Sequence, residues 1–384
     1  MKRTNGTMAI LVAVAIGLMV STAKAGEHGC EREDRPLVQL AILLDTSNSM
    51  DGLIAQAKTE LWRVVNELAT AKRKGLRPRL EVALYEYGNQ GLPASTGWIR
   101  KVLPFTTDLD RVSEALFGLT TNGGDEYCGQ VIDVATRDLG WDDARGTLKV
   151  IFIAGNEPFT QGPVDYRKSV KRAIEDGIVV NTIHCGSESE GENGKWHDAA
   201  RLGDGTYLAI DQNRQVAQIV APQDDEIQRL NEKMNRTYVA YGRSGGAGLA
   251  RQKAQDSAAA SLGSSVAAER AVAKAVAAAP AASAEWDLVS AQSVGKGDVA
   301  DLDEEELPAE MRGMTKTERK AHVEKLAKER AGIQASIEKL AAERRDYVAK
   351  KEAEQAAEGQ GTLGAAMIKA VRAQAEDAGF EFNR

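Results

Sequence analysis

Histidine is nearly absent, with four in 384 residues, and cysteine occurs three times. That scarcity leaves little from which to build a nitrogen- or sulfur-ligated zinc site, and no H-E-x-x-H or C-x-x-C spacing occurs. A nucleophile elbow and a glycine-rich phosphate loop closing on Lys-Ser/Thr are also missing, so the common hydrolase and nucleotide-binding signatures do not apply. Aromatic residues make up 5% of the chain, too few for dense core along its whole length. With 49 basic against 56 acidic residues the formal charge is −7, which gives no long-range attraction to phosphates and argues against nucleic acid as a partner. The one long apolar run, residues 8–20, is shorter than the roughly 20 residues that span a bilayer.

That run follows Lys2 and Arg3 and precedes Ala23-Lys24-Ala25, the order of a secretory leader cut after Ala25. Residues 1–25 are therefore expected to be removed as a signal peptide, leaving a periplasmic or secreted protein with no stable membrane anchor. Export permits disulfides. Cys128 and Cys185 are both expected at one edge of a sheet, where pairing between them stays open, and Cys30 is left over.

What the chain does have is regular alternation. Strand patterns at 37–44, 80–87, 149–154, 178–184 and 205–210, with a short edge strand at 98–103, interleave with helix patterns at 52–72, 109–117, 129–139, 166–176 and 196–202. Interleaving implies right-handed crossovers and an α/β fold with a doubly wound, mostly parallel sheet over residues 35–222. Ligands in such folds gather beyond the carboxyl ends of the strands. The first strand ends there in Asp45-Thr46-Ser47-Asn48-Ser49, a carboxylate and two alternate hydroxyls on one turn. These are hard oxygen donors suited to a divalent cation such as Mg2+, or Mn2+ or Ca2+. The same residues also read as caps for a helix beginning near Met50.

The Asp-x-Ser-x-Ser frame after a hydrophobic first strand resembles the metal-ion-dependent adhesion site of von Willebrand factor type A domains, over about residues 35–222. The resemblance implies a doubly wound parallel sheet with a cation at its carboxyl edge, completed by an acidic group of a partner protein. It also implies ligands on two further loops, where this chain departs from the family. In the second loop Asp125 stands where the family has threonine after the paired Gly123 and Gly124, with Thr121 as the alternative ligand if the loop is offset. The third loop reads Ala154-Gly155-Asn156 in place of Thr-Asp-Gly, leaving Asn156 or Glu157 to reach inward. A metal set of Asp45, Ser47, Ser49, Asp125 and Thr121 is thus expected, with the second negative charge moved to Asp125.

Catalysis has little to work with, since Ser47 or Ser49 would need a histidine base and only His184 and His197 fall in this region. His184 ends a strand beside Cys185 and reads as structural. The two neighbours point to opposite faces, so they do not share a zinc.

Past residue 222 the composition turns charged and alanine-rich. Residues 223–241 read as an amphipathic helix packing back on the α/β domain through Ile227, Leu230 and Met234, and the glycines of 242–248 as a flexible joint. High alanine content makes 249–282 helical with little apolar area, so 223–314 reads as a helical linker region. Thr315-Lys316-Thr317-Glu318 matches a capping box opening a helix to about Glu354, with Leu326, Ile333, Leu340 and Tyr347 at heptad spacing. Val323 and Ile337 share an adjoining seam that Arg330 and Arg344 interrupt. Residues 315–384 therefore read as a helical, partly coiled-coil region, a route to homo-oligomers or a docked hairpin, ending in a weaker helix whose Met367, Ile368, Val371 and Phe380 can dock on another surface. Together these features point to an exported, non-enzymatic module that uses a cation to capture an acidic group of a protein partner. The alternative is a metal-free scaffolding protein that binds through its helical half.

Overall fold

The first strand carries one polar residue, Gln39, in eight, and a run this apolar is stable only with both faces covered. In the structure, a computed structural model describing residues 35–211, 218–278, 280–296, 298–356 and 363–382, it lies mid-sheet as β1 (Leu37–Asp45). The expected leader and Cys30 lie outside the described residues. Gln39 is 2% exposed and satisfies its amide on Glu81 Oε2 (2.9 Å) and the Gly140 carbonyl (3.2 Å).

The other strands are β2 (Ala71–Lys72), β3 (Arg79–Tyr87), β4 (Ile99–Thr106), β5 (Leu148–Gly155), β6 (Ile178–Cys185), β7 (Tyr207–Ile210) and β8 (Glu381–Phe382). The main sheet runs β4-β3-β1-β5-β6-β7, parallel except for β4 at one edge, and β2 pairs with β8 in a separate two-stranded ribbon. This is the expected doubly wound α/β architecture. Helices α1 (Asp51–Thr70) and α2 (Leu109–Phe117) cover one face, where Leu40 and Leu44 meet Leu53, Trp62, Val112 and Leu116. Against the other face α3 (Cys128–Asp138), α4 (Tyr166–Glu175), α5 (Glu188–Asn193) and α6 (Trp196–Leu202) follow in order, and Ala41, Leu43 and Tyr85 pack there with Val131, Val170 and Trp196. Alternate β1 residues thus enter opposite cores, each fully buried aliphatic or phenyl side chain contributing about 1.5–3 kcal/mol.

The same two-sidedness answers the cysteine question. Cys128 belongs to the α3 face and Cys185 to the α1 face, and both are buried and free. A bridge between them would have to pass through the sheet.

The helical half consists of α7 (Asp224–Asn235), α8 (Gly245–Leu262), α9 (Ser264–Val272), α10 (Pro280–Ser283), α11 (Leu288–Ser293), α12 (Lys316–Ala356) and α13 (Leu363–Asp377). Ile227 and Met234 of α7 are buried as expected, but against Ala268 and Val272 of α9 and Ile337 of α12 instead of the α/β core. The glycine run is also not a loose joint. It starts α8, and Gly248 lies so close to the Trp286 indole that a Cβ there would collide with the ring. Ion pairs and amides then tie this half to the first: Arg251 binds Glu114 (2.9 Å), Ser113 donates to Gln255 (2.7 Å), and Arg270 binds Asp110 (2.6 Å) while lying over Trp62.

The capping box at Thr315 and Glu318 forms as expected. The expected heptad seam is mostly half-buried, whereas the adjoining one, Val323, Arg330, Ile337 and Arg344, is buried throughout. Its arginines do not weaken it. Arg330 binds Asp287 (2.7 Å) and the Thr237 carbonyl (2.6 Å), and Arg344 binds Asp224 (2.7 Å), Ser265 Oγ (2.8 Å) and Glu269. This surface of α12 is covered by the chain's own short helices, not by a second long one. Near the end of the chain Met367 and Val371 of α13, and Phe380 just after it, sit in the α1 core, and Gln374 exchanges amide hydrogen bonds with buried Asn181 of β6 (3.1 and 2.6 Å). No helix among the described residues is long and apolar enough to cross a membrane.

Candidate functional site

Strand register places the site. Asp45 pairs with Tyr87 of β3, and its neighbour Leu44 pairs with Ala154 of β5, so the first and third loops open side by side at the carboxyl edge. Asp45 is fully buried, and its Oδ1 accepts the Ser47 N–H (2.7 Å). Ser47 Oγ and Ser49 Oγ lie 3.2 Å apart, which brings the three first-loop side chains together as the sequence requires.

The second loop is pinned to the first through backbone bonds from Asn122 N–H to the Thr46 carbonyl (2.9 Å) and from Gln90 N–H to the Gly123 carbonyl (2.9 Å). Its inward acid is not Asp125, which is exposed. Glu126, 4% exposed, turns in beside the Asp45 carboxyl. Gln161 fixes this register by accepting the Glu126 N–H at its Oε1 (2.7 Å). Thr121 is half-buried and gives its hydroxyl to Asp51 at the start of α1, so it is not joined to Asp45. Sequence reasoning missed Glu126 because a glutamate just before a helix reads as a dipole-favoured charge.

Glycines make this approach possible. Gly88 has φ +78°, and a Cβ there would lie 2.7 Å from Asp45 Oδ1 and 2.8 Å from Glu126 Cγ. Gly155, in the place of the family's acidic residue, leaves room for Asp45 and the Tyr87 hydroxyl, which donates to the Ala154 carbonyl (2.9 Å).

Asn156 supplies the third loop's contribution. Turned nitrogen-inward, its amide donates to Glu126 Oε2 (3.2 Å) and Asp45 Oδ2 (3.3 Å). Turned oxygen-inward, it accepts from Ser49 Oγ (3.4 Å) and places a carbonyl-type oxygen among two carboxyls and two hydroxyls. A divalent cation favours the second orientation, and these five residues fit one: all donors are hard oxygens and two carry charge. Among the described residues no group of three or more His, Cys, Asp or Glu is placed to hold a metal, so a cation at this edge would draw on hydroxyl and amide oxygens as well.

Electrostatics favour a positive guest. Burial pushes the Asp45 carboxyl above its usual range, opposed by hydrogen bonds from Glu126 and Ser47. Burial again, then the Asp45 carboxyl, pushes Glu126 up, and a cation between the two would relieve both. Nothing here activates a nucleophile. His184 is buried against Trp196 (5.6 Å) with no hydrogen-bond partner on either ring nitrogen among the described residues, and burial lowers its pKa.

Residues 39–218 match the family model described as von Willebrand factor type A domain. No curated protein matches the chain. Among solved structures it is similar to proximal thread matrix protein 1 from the mussel byssus with a zinc-occupied MIDAS motif, at 12% identity and a TM-score of 0.35, over 46% of this chain and 42% of that one. A von Willebrand factor type A protein from Catenulispora acidiphila matches at 19% identity and 0.34, over 46% and 39%. The SpRpn10 VWA domain matches at 19% and 0.36, over 47% and 90%. The chain thus spans about two fifths of the length of the first two proteins.

Proposed function

Given that residues 39–218 are a von Willebrand factor type A domain, a protein-interaction module, we propose that this protein binds a partner through a divalent cation held at the carboxyl edge of its sheet. The observation that carries the reading is the convergence of Asp45, Ser47, Ser49, Glu126 and Asn156 from three loops. Asp45 anchors the ion, Ser47 and Ser49 complete the first loop, and Glu126 supplies the charge first assigned to Asp125. When bound, a Mg2+, Mn2+ or Ca2+ ion acts as a Lewis acid toward an acidic side chain of the partner. Asp45 and Glu126 together balance two positive charges, so the partner's carboxylate meets a weaker field than a site with one carboxylate would offer. Capture is therefore expected to be modest and reversible.

The scaffolding alternative loses ground because the apolar seam of α12 is used internally. The leader pattern supports export, which N-terminal sequencing of the mature protein checks. Calorimetric titration with Mg2+ and Mn2+, followed by partner capture with and without the ion, tests the reading itself. Normal cation binding by Asp45→Ala would sink it.

A further inference from the structure

Away from this site, the middle of α1 holds an acid that the cation chemistry does not use. Glu60 is 4% exposed, and its Oε2 has no hydrogen-bond partner among the described residues. The nearest cation is Arg63 one turn on, whose Nη1 stands 3.7 Å from that oxygen while Nη2 is committed to Glu352 at 2.6 Å. The carboxyl sits between two small cavities. One, of about 40 Å³, is apolar and walled by Leu61, Val64, Phe152 and Met367 of α13 among others. The other, of about 50 Å³, is polar and bordered by Glu269, Arg344 and Glu352. The first turn of α13 closes over Glu60, where a Cβ on Gly364 would collide with the Glu60 carboxyl unless it moved.

We propose that seating of α13 on α1 is proton-gated, with Glu60 neutral when the helix is docked and the first turn of α13 lifting when Glu60 ionises. A neutral carboxyl tolerates the apolar wall, whereas a carboxylate needs water or hydrogen-bond donors, and among the described residues none reaches Oε2. The charged groups facing it are Arg63 on α1, Glu269 on α9, and Arg344 and Glu352 on α12, with none from the glycine of α13. Arg344 is already held by Asp224 and Glu269, so the remaining field is acidic. Another acid on the same helix shows the contrast: Glu67 forms an ion pair with Arg372 and so fastens α13 to α1.

Burial, ahead of the opposing pull of Arg63 and the repulsion of Glu269 and Glu352, raises the Glu60 pKa from 4.5 to about 7. A folded-state pKa above the ordinary value means stabilisation of the docked helix that is full below pH 4.5 and lost as pH rises through about 7. Hydrogen exchange of the full chain reads this directly. Protection of residues 363–377, corrected for intrinsic exchange, should fall by up to about tenfold per pH unit between pH 4.5 and about 7 and level off above, with β1 and β5 unchanged. Glu60→Gln should hold protection constant across the range, and Gly364→Ala should lower it at every pH. Constant protection in the wild type, or a Glu60→Gln protein that keeps the fall, overturns the proposal. Should Glu60→Gln not fold, the wild-type profile and Gly364→Ala still decide it.

Discussion

The carboxyls of Asp45 and Glu126 converge on one Asn156 amide, at 3.3 and 3.2 Å, inside the carboxyl edge of the sheet, although they come from separate loops and both are buried. Two acids in contact are stable only with a shared proton or a cation. Their pairing therefore fixes which side chains a metal experiment has to change.

Glu126→Ala should weaken Mn2+ or Mg2+ binding by about tenfold or more, close to the effect of Asp45→Ala, because a charged ligand is lost in each case and tenfold is only ~1.4 kcal/mol. Exposed Asp125, one residue away, should tolerate Ala with less than about a twofold change. Isothermal titration of the three variants separates them. Equal losses for Asp125 and Glu126 would return the second charge to Asp125.

Gly88→Ala should damage fold and site together. At φ +78° a side chain is strained, and its Cβ would press on Asp45 Oδ1 and Glu126 Cγ. A loss of about 1–3 kcal/mol in urea unfolding is expected, with weakened cation binding in the fraction still folded. A variant of wild-type stability would mean that the loops yield easily.

Much of this was legible in the chain. Strand positions came from apolar periodicity, and β1 ends within one residue of expectation because Asp45 terminates a run with a single polar residue, Gln39. The second loop was not legible, because a loop has no period and its register is set by Gln161 from a different segment. The same holds for α12. Arg330 and Arg344 look like breaks in a seam until Asp287 and Asp224, remote in sequence, are seen to neutralise them. The glycine run at 242–248 misleads for a related reason. Glycine signals both freedom and close packing, and only Trp286 decides between them.

Cys128 and Cys185 should remain reduced even in an oxidising medium. Burial raises both thiols well above their usual pKa, which suppresses the reactive thiolate, and the sheet lies between them. In a Cys30→Ser background, a thiol reagent should label neither cysteine in the native protein and both in denaturant. An intact mass lower by two hydrogens before reduction would show that they pair after all.

Arg330 should prove one of the costlier positions in the chain. Its guanidinium lies 4.0 Å from the centre of the Tyr238 ring and hydrogen-bonds Asp287, which also caps α11 through Ser290 N–H (3.0 Å) and accepts the Val239 N–H (2.8 Å). Removing the cation leaves a fully buried carboxylate without its counter-charge. Arg330→Met should therefore destabilise the protein by about 3–5 kcal/mol in urea unfolding, even though Met suits the surrounding seam. Arg330→Lys should recover only part of that, because an ammonium cannot match the forked contacts to Asp287 and Thr237. Cation affinity of the folded variants should be unchanged, since the site stands on other loops. A loss under about 1 kcal/mol in Arg330→Met would mean that apolar packing alone holds α12 in place.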